Sequence, residues 1–179
     1  QGEALSKREA KWQIELASAA VGGKEELKER PIFSSVHCPI SPLVFEKGMS
    51  EGMVELARHG IPVLSLSMVL CGTTGPATIA GTLAVDNAEN LAAIAILQCA
   101  KEGAPVIYGG ESPPADMRSG TVDYNAPEYP LTSAGISQLA DFYDLPCFSA
   151  GCALGRAPEN MNDLMNGALK FVLIYLNRS

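Results

Sequence analysis

Short apolar runs alternate along this chain with longer segments in which apolar residues recur every three or four positions. The short runs have the composition of buried strands, and the longer segments have the spacing of amphipathic helices. The sequence predicts strands at about 32–38, 62–68, 105–108 and 146–149. It predicts helices at about 3–20, 24–30, 46–58, 77–101, 127–144 and 159–176. The pattern is therefore a lead-in helical segment followed by four strand–loop–helix units.

Proline marks the start of three of these predicted strands. Pro62, Pro105 and Pro146 each stand at the first strand residue, directly after a helix. A proline at that position ends the helix before it, and the first residue of a strand tolerates the missing N–H. The repeated cue indicates that the units share one construction.

Strand–loop–helix units in series predict a parallel sheet with right-handed crossovers. Two architectures fit, an open doubly wound sheet and part of a (β/α)8 TIM barrel. The loops after the strands are long and rich in Gly and acidic residues, whereas the loops before the strands are short, and this asymmetry favours the barrel. We expect residues 1–30 to form a lead-in helical segment and residues 31–179 to form about half of a barrel domain.

The two ends of the sequence predict that this chain is a piece of a longer protein. It begins at Gln1 rather than Met, and it closes just after an apolar run at 171–176. Half a barrel would leave open sheet edges and an uncovered interior, so we also expect a homo-oligomer.

The composition narrows the classes of function. The chain has 179 residues, of which 47% are hydrophobic and 18% charged, as is typical of a globular domain. Its net charge of -7 argues against nucleic acid, which needs a basic face, and against an anionic membrane surface. No apolar run reaches the roughly 20 residues that span a bilayer. The five cysteines include no C-x-x-C pair, so we expect reduced thiols and a cytoplasmic protein.

Several motifs of catalysis and cofactor binding are absent from the sequence. It has no P-loop, no dinucleotide fingerprint and no nucleophile elbow. The Gly-rich loop at 72–76 is either an anion site or, as we favour, a tight turn that leads into a capped helix. Four zinc-ligand residue types fall near strand ends, which leaves a zinc–thiolate site as an alternative: His37, Cys38, Cys71 and Cys152. Their spacing matches no standard pattern, so we expect no metal site.

The loop after the third strand is the richest in candidate chemistry. Its candidate substrate-binding residues are three carboxylates, an arginine and a tyrosine: Glu111, Asp116, Glu128, Arg118 and Tyr108. Two more aromatic faces are available from the tyrosines at 124 and 129. Carboxylates and aromatic rings around a barrel mouth suit a cationic ligand, because a quaternary ammonium is held by ring faces and a counter-charge.

Each of these residues also has a structural interpretation. Asp116 and Arg118 could pair with each other within the loop. Glu128 could interact with the dipole of the helix that begins there. Tyr108 could be a core residue at the end of a strand. The residue types alone leave both interpretations open, and they single out no catalytic residue.

Several blocks of the sequence resemble one protein family. The run at 72–83 reads Gly-Thr-Thr-Gly-Pro-Ala-Thr-Ile-Ala-Gly-Thr-Leu, and Asn-Ala-Glu-Asn-Leu-Ala follows at 87–92. Gly-Ala-Pro-Val-Ile-Tyr-Gly at 103–109, Asp-Met-Arg-Ser-Gly at 116–120 and Tyr-Asp-Leu-Pro at 143–146 continue in the same order. Together these blocks resemble the trimethylamine:corrinoid methyltransferase family over about residues 31–158.

The resemblance implies a (β/α)8 barrel of which this chain is a middle portion. It implies transfer of a methyl group from a methylated amine to a corrinoid protein, so the cobalt corrinoid belongs to the partner and this chain binds no cofactor directly. Some members carry pyrrolysine, and none is printed at 150–158. The chain therefore resembles the branch without it, which includes enzymes that demethylate glycine betaine. The alternatives are a zinc–thiolate methyltransferase and a non-catalytic betaine-binding half-barrel.

Overall fold

The fold is a parallel sheet with helices between successive strands. A computed structural model describes residues 2–149 and 161–176. In this part of the chain the strands are β1 (Gly2–Glu3), β2 (Ser35–His37), β3 (Val63–Ser67), β4 (Val106–Gly110) and β5 (Cys147–Ser149). The helices are α1 (Lys7–Val21), α2 (Lys24–Glu29), α3 (Lys47–Arg58), α4 (Ile79–Ala100), α5 (Glu128–Phe142) and α6 (Met161–Leu176).

All four predicted strands are present, and every pairing between neighbouring strands is parallel. The structure adds β1, which the sequence pattern missed because the strand has only two residues and neither is apolar. The first helix consequently starts later than predicted. It begins at Lys7 because the Ser6 side chain accepts a hydrogen bond from the Glu9 backbone N–H and caps the helix.

The five strands lie in the sheet in the same order as in the chain. A doubly wound sheet reverses its strand order at a switch point, and the described strands show no reversal. Right-handed crossovers between neighbouring strands place the connecting helices on one face of the sheet. The sequential order therefore separates a face covered by helices from a face that these helices leave open.

The helix-covered face holds the core. One apolar cluster joins α3 and α4 to the sheet through buried residues that include Met53, Leu56, Val63 and Leu97. A second cluster surrounds Tyr108 and contains Ile136 and Ala140 of α5. Full burial of aliphatic side chains of this size stabilises each by about 1.5–3 kcal/mol. Helix packing on this one face therefore forms both apolar clusters.

The opposite face of the sheet is the more open one. Leu66 and Ile107 are only half-buried there, and Phe148 of β5 is 40% exposed. Leu64 is the exception, because it is packed closely enough that a Cβ on Gly109 would lie 2.6 Å from its Cδ1 atom. This is the sheet face that, in a closed barrel, would point inward.

Apolar side chains are also exposed on the first and last helices described. Trp12 and Leu16 of α1 are 55% and 77% exposed, and Phe171 and Tyr175 of α6 are 62% and 70% exposed. Cys38, Cys71 and Cys99 are free cysteines. Among the described helices, none has the length and apolarity needed to cross a membrane. Cys152 and the loop at 150–158, on which the pyrrolysine interpretation depends, lie outside the described residues.

Candidate functional site

A carboxylate and two tyrosines come together at the carboxyl end of β4. The Glu111 backbone N–H donates to the Ser67 carbonyl at 2.8 Å, which extends the strand ladder by one residue. Side chains alternate along a strand, so Glu111 lies on the open face of the sheet. The Tyr129 hydroxyl donates to Glu111 Oε1 at 3.4 Å, and the Tyr124 ring packs edge-on against Tyr129 with centroids 5.6 Å apart.

The electrostatic environment of this group favours a cation. Burial raises the pKa of Glu111, and interaction with the Tyr129 and Tyr124 hydroxyls opposes that rise. Burial likewise raises the pKa of the Tyr124 hydroxyl, and the Glu111 charge raises it further. Among the residues that the structure describes, no Lys or Arg side chain forms an ion pair with Glu111. Tyr129 is fully buried, so the surface that a positively charged ligand could meet here is the Glu111 carboxylate and the half-buried Tyr124 ring.

Cys38 adds a neutral thiol to the same edge of the sheet. Glu3 pairs in register with Val36, so Glu3, Val36 and Cys38 share the open face. Burial, together with the nearby carboxylates of Glu3 and Glu111, raises the pKa of Cys38 to about 11. At neutral pH this cysteine is a thiol rather than a thiolate, which makes it a poor nucleophile and a poor metal ligand.

Of the five residues predicted to bind substrate, Glu111 is the one that the structure brings together with Tyr124 and Tyr129. Tyr108 is fully buried on the helix-covered face, where its hydroxyl donates to Asn87 Oδ1 at 2.9 Å. Burial raises the pKa of Tyr108. This geometry gives Tyr108 the role of a strand-end core residue, and its contact with substrate stays a prediction.

The other three candidates lie at the surface. Asp116 accepts hydrogen bonds from the Arg118 backbone N–H at 2.9 Å and from Ser119 Oγ at 2.7 Å, and these contacts lower its pKa. The Arg118 side chain is exposed and forms no ion pair with Asp116 among the described salt bridges. Glu128 is exposed at the first residue of α5, as the helix-dipole interpretation expects.

Two buried carboxylates on α4 form a further part of this edge. Asp86 accepts from Ser112 Oγ at 2.6 Å, and Glu89 accepts from Ser67 Oγ at 2.5 Å. Both acids are fully buried, and burial raises the pKa of Asp86 to about 7. Neither acid is among the residues predicted from the sequence to bind substrate.

A signal for these acids was present in the helix periodicity. The buried residues of α4 form one helical stripe: Thr82, Asp86, Glu89, Asn90, Ala93 and Leu97. The stripe is apolar at its carboxyl end and polar at its amino end. Extending it backwards from Leu97 in steps of three or four would have placed both carboxylates on the buried face.

The zinc alternative finds no support in the described residues. His37 is buried on the helix-covered face beside Ser35, and Cys38, its neighbour in sequence, belongs to the opposite face. Burial lowers the pKa of His37 to about 4. Within residues 2–149 and 161–176, no three His, Cys, Asp or Glu side chains are grouped closely enough to hold a metal ion. Cys152, the fourth candidate ligand, lies outside this range.

The Gly-rich loop at 72–76 is a tight turn. The backbone N–H groups of Gly72 and Gly75 donate within the turn, to the carbonyls of Pro76 and Leu70. The helix cap itself is Thr78, whose hydroxyl accepts from the Gly81 N–H at 3.2 Å. These two N–H groups, which an anion would need, are therefore already hydrogen-bonded within the turn.

Comparison with known proteins gives one consistent family. Residues 1–166 match the family described as trimethylamine methyltransferase. The chain is 43% identical over 144 residues to a trimethylamine methyltransferase of Desulfitobacterium hafniense strain DCB-2, covering 80% of this chain and 29% of that protein. It is 40% identical over 150 residues to a glycine betaine methyltransferase of strain Y51, covering 84% and 31%. It is 41% identical over 148 residues to a trimethylamine methyltransferase of Methanosarcina mazei, covering 82% and 30%. The chain thus spans about a third of the length of these curated relatives.

Proposed function

Because this chain belongs to the trimethylamine methyltransferase family, we propose that the whole protein transfers a methyl group from a methylated amine to a corrinoid carried by a separate protein. The amine is trimethylamine or a quaternary amine such as glycine betaine, since relatives named for each substrate match this chain at similar identity. The reduced cobalt of the partner acts as a co-substrate that accepts the methyl group.

The observation that carries this proposal is the group formed by Glu111, Tyr124 and Tyr129 at the carboxyl edge of the sheet. A methylated ammonium offers few or no N–H donors, so recognition falls to ring faces and a counter-charge. Glu111 supplies the charge from a half-buried position, where screening by water is reduced. The work of these residues is to bind the cation, to orient one methyl group toward the partner and to exclude water.

We further propose that the sheet is part of a (β/α)8 barrel. Sequential parallel strands, helices on one face and an open second face are the features of a barrel segment. The apolar residues exposed on α1 and α6 support the same interpretation, because further strand–helix units would pack against them. The candidate site then lies at the carboxyl-terminal end of the strands, where barrel enzymes have their active sites.

The test is methyl transfer to a reduced corrinoid protein by the intact enzyme, with trimethylamine and glycine betaine as separate donors. Glu111→Gln keeps the shape and removes the charge, so we expect KM for the amine to rise about tenfold, which corresponds to about 1.4 kcal/mol. Glu102→Gln changes an exposed carboxylate after α4 and is the matched control. Glu128→Gln and Asp116→Asn test the remaining predicted carboxylates in the same assay.

Two results would overturn the proposal. If neither amine donates a methyl group while a thiol or oxygen methyl donor does, the substrate class is wrong. If Glu111→Gln leaves KM at the value of the control variant, the cation is held elsewhere in the protein.

A further inference from the structure

Helix α4 presents two buried carboxylates to two different loops at the carboxyl edge of the sheet. Asp86 and Glu89 are three residues apart, so they lie on the same side of the helix. Neither side chain has any solvent exposure, and the proposed chemistry assigns a role to neither. Ionisable side chains are almost never fully buried unless they are paired or hydrogen-bonded, so their hydrogen bonds show what they do.

Glu89 holds the turn that follows β2. Its Oε1 accepts from the Leu43 backbone N–H at 2.8 Å, and its Oε2 accepts from Ser41 Oγ at 2.9 Å. Oε2 also accepts from Ser67 Oγ at the end of β3, at 2.5 Å. One carboxylate therefore ties this turn to the neighbouring strand.

The turn at 40–44 has little else to fix its shape. Leu43 has a φ of 62°, in the left-handed region that a non-glycine residue adopts only at an energetic cost. The side chains of Ile40, Leu43 and Val44 are 55%, 58% and 50% exposed, so they contribute little packing. The turn has its own pair of backbone hydrogen bonds between Ile40 and Val44. The further hydrogen bonds that anchor it to the sheet come from Glu89.

Asp86 performs the same task for the loop after β4. Ser112 Oγ accepts from the Val69 N–H at 3.2 Å, so the Ser112 hydroxyl proton is directed to Asp86 Oδ2, 2.6 Å away. Ser112 directly follows Glu111, the charged residue of the candidate site. The two α4 carboxylates thus fix the loops that begin beside Cys38 and Glu111.

We propose that Glu89 is a positioning residue for amine binding, which holds the turn at 40–44 against the end of β3 so that this side of the site keeps its shape. Asp86 is its counterpart on the Glu111 side. This inference rests on the proposed function, because it takes the carboxyl edge of the sheet as the amine site. Glu89 itself touches no substrate.

The experiment combines kinetics with hydrogen exchange on the intact enzyme. Pro39 and Pro42 carry no amide hydrogen, so a peptide over 39–44 reports on four amides, including that of Leu43. Glu89→Ala should speed exchange in this peptide at least tenfold and raise KM for the amine about tenfold or more, with kcat changed much less. Glu89→Gln should restore both toward wild type, because its Oε1 can accept from the Leu43 N–H while its NH₂ group donates to the serine hydroxyls. Glu102→Ala is the exposed control.

The outcomes separate this inference from the proposed function. Faster exchange with an unchanged KM would overturn it, because the turn would then not serve the amine site. Unchanged exchange in Glu89→Ala would also overturn it. If Glu89→Ala does not fold, Ser41→Ala removes one of the turn's contacts with Glu89, and faster exchange without any rise in KM would again contradict the inference. If the wild-type enzyme transfers no methyl group from any amine, the proposed function fails, whatever the exchange result shows about the turn.

Discussion

The buried carboxyl of Asp86 should make the stability of this fold depend on pH in a defined window. Burial raises the pKa of Asp86 from 3.8 to about 7 in the folded chain. Between these values the unfolded chain has lost the proton while the folded chain still holds it, so the folded state loses stability as pH rises. The contribution is fully present below pH 3.8, and it is lost once the pH passes about 7.

The size of this effect follows from the difference between the two pKa values. About three pH units separate them, and at roughly 1.4 kcal/mol for each unit the loss is on the order of 4 kcal/mol. Asp86→Asn resembles the neutral acid in shape and charge, so it removes the titration. We expect the variant to match wild type near pH 4 and to exceed it by up to about 4 kcal/mol at pH 8.

The measurement is urea denaturation followed by circular dichroism at several pH values between 4 and 8. Asp141→Asn makes the same chemical change at an exposed position on α5 and should follow wild type throughout. Parallel pH profiles for wild type and Asp86→Asn would refute the reasoning. They would mean that the hydrogen bonds from Ser112 and Asn90 keep Asp86 ionised despite its burial.

Three further outcomes test the packing and the thiol chemistry. Tyr108→Phe removes the hydroxyl that donates to Asn87, so it should lower the free energy of unfolding by about 1 kcal/mol. Thermal or urea denaturation measures this loss, and no change would show that the hydroxyl contributes nothing to the stability of the core. Gly109→Ala places a Cβ 2.6 Å from the Leu64 side chain and 3.0 Å from the Ser65 carbonyl oxygen. We expect the same assay to show a loss of about 1–3 kcal/mol in the free energy of unfolding. Wild-type stability would contradict the close approach. Burial and the nearby carboxylates of Glu3 and Glu111 raise the pKa of the half-buried Cys38 to about 11, so at pH 7.5 iodoacetamide should alkylate it more slowly than the exposed Cys99. Peptide mass spectrometry measures the two rates, and equal rates would rule out the raised pKa.

The sequence predicted the repeating part of the fold and missed its exceptions. Strands at Val63–Ser67 and Val106–Gly110 were predictable because their apolar runs are bounded by proline and glycine. The strand Gly2–Glu3 was not, because two residues carry no periodicity and its pairing with β2 depends on the tertiary fold.

The type of candidate site could be predicted from the sequence, but only some of its residues could. The loop composition indicated a carboxylate among tyrosines, and Glu111 fits that description. Sequence spacing could not show that the ring of Tyr108 turns toward the helices, because the face on which a strand residue lies depends on register. Nor could composition show that Glu89 is buried, since an acid on a helix is usually a solvated residue.

The sequential strand order also has a consequence for synthesis on the ribosome. Each of the strands from β2 to β5 pairs with the strand made immediately before it, so none of these four described strands waits for its first partner to be translated. This part of the sheet can therefore grow in the order of its synthesis, from β1 toward β5. Whichever strand emerged last exposes an unpaired edge until its successor arrives. A pause in translation would prolong that exposure, and a chaperone would then have to shield the edge.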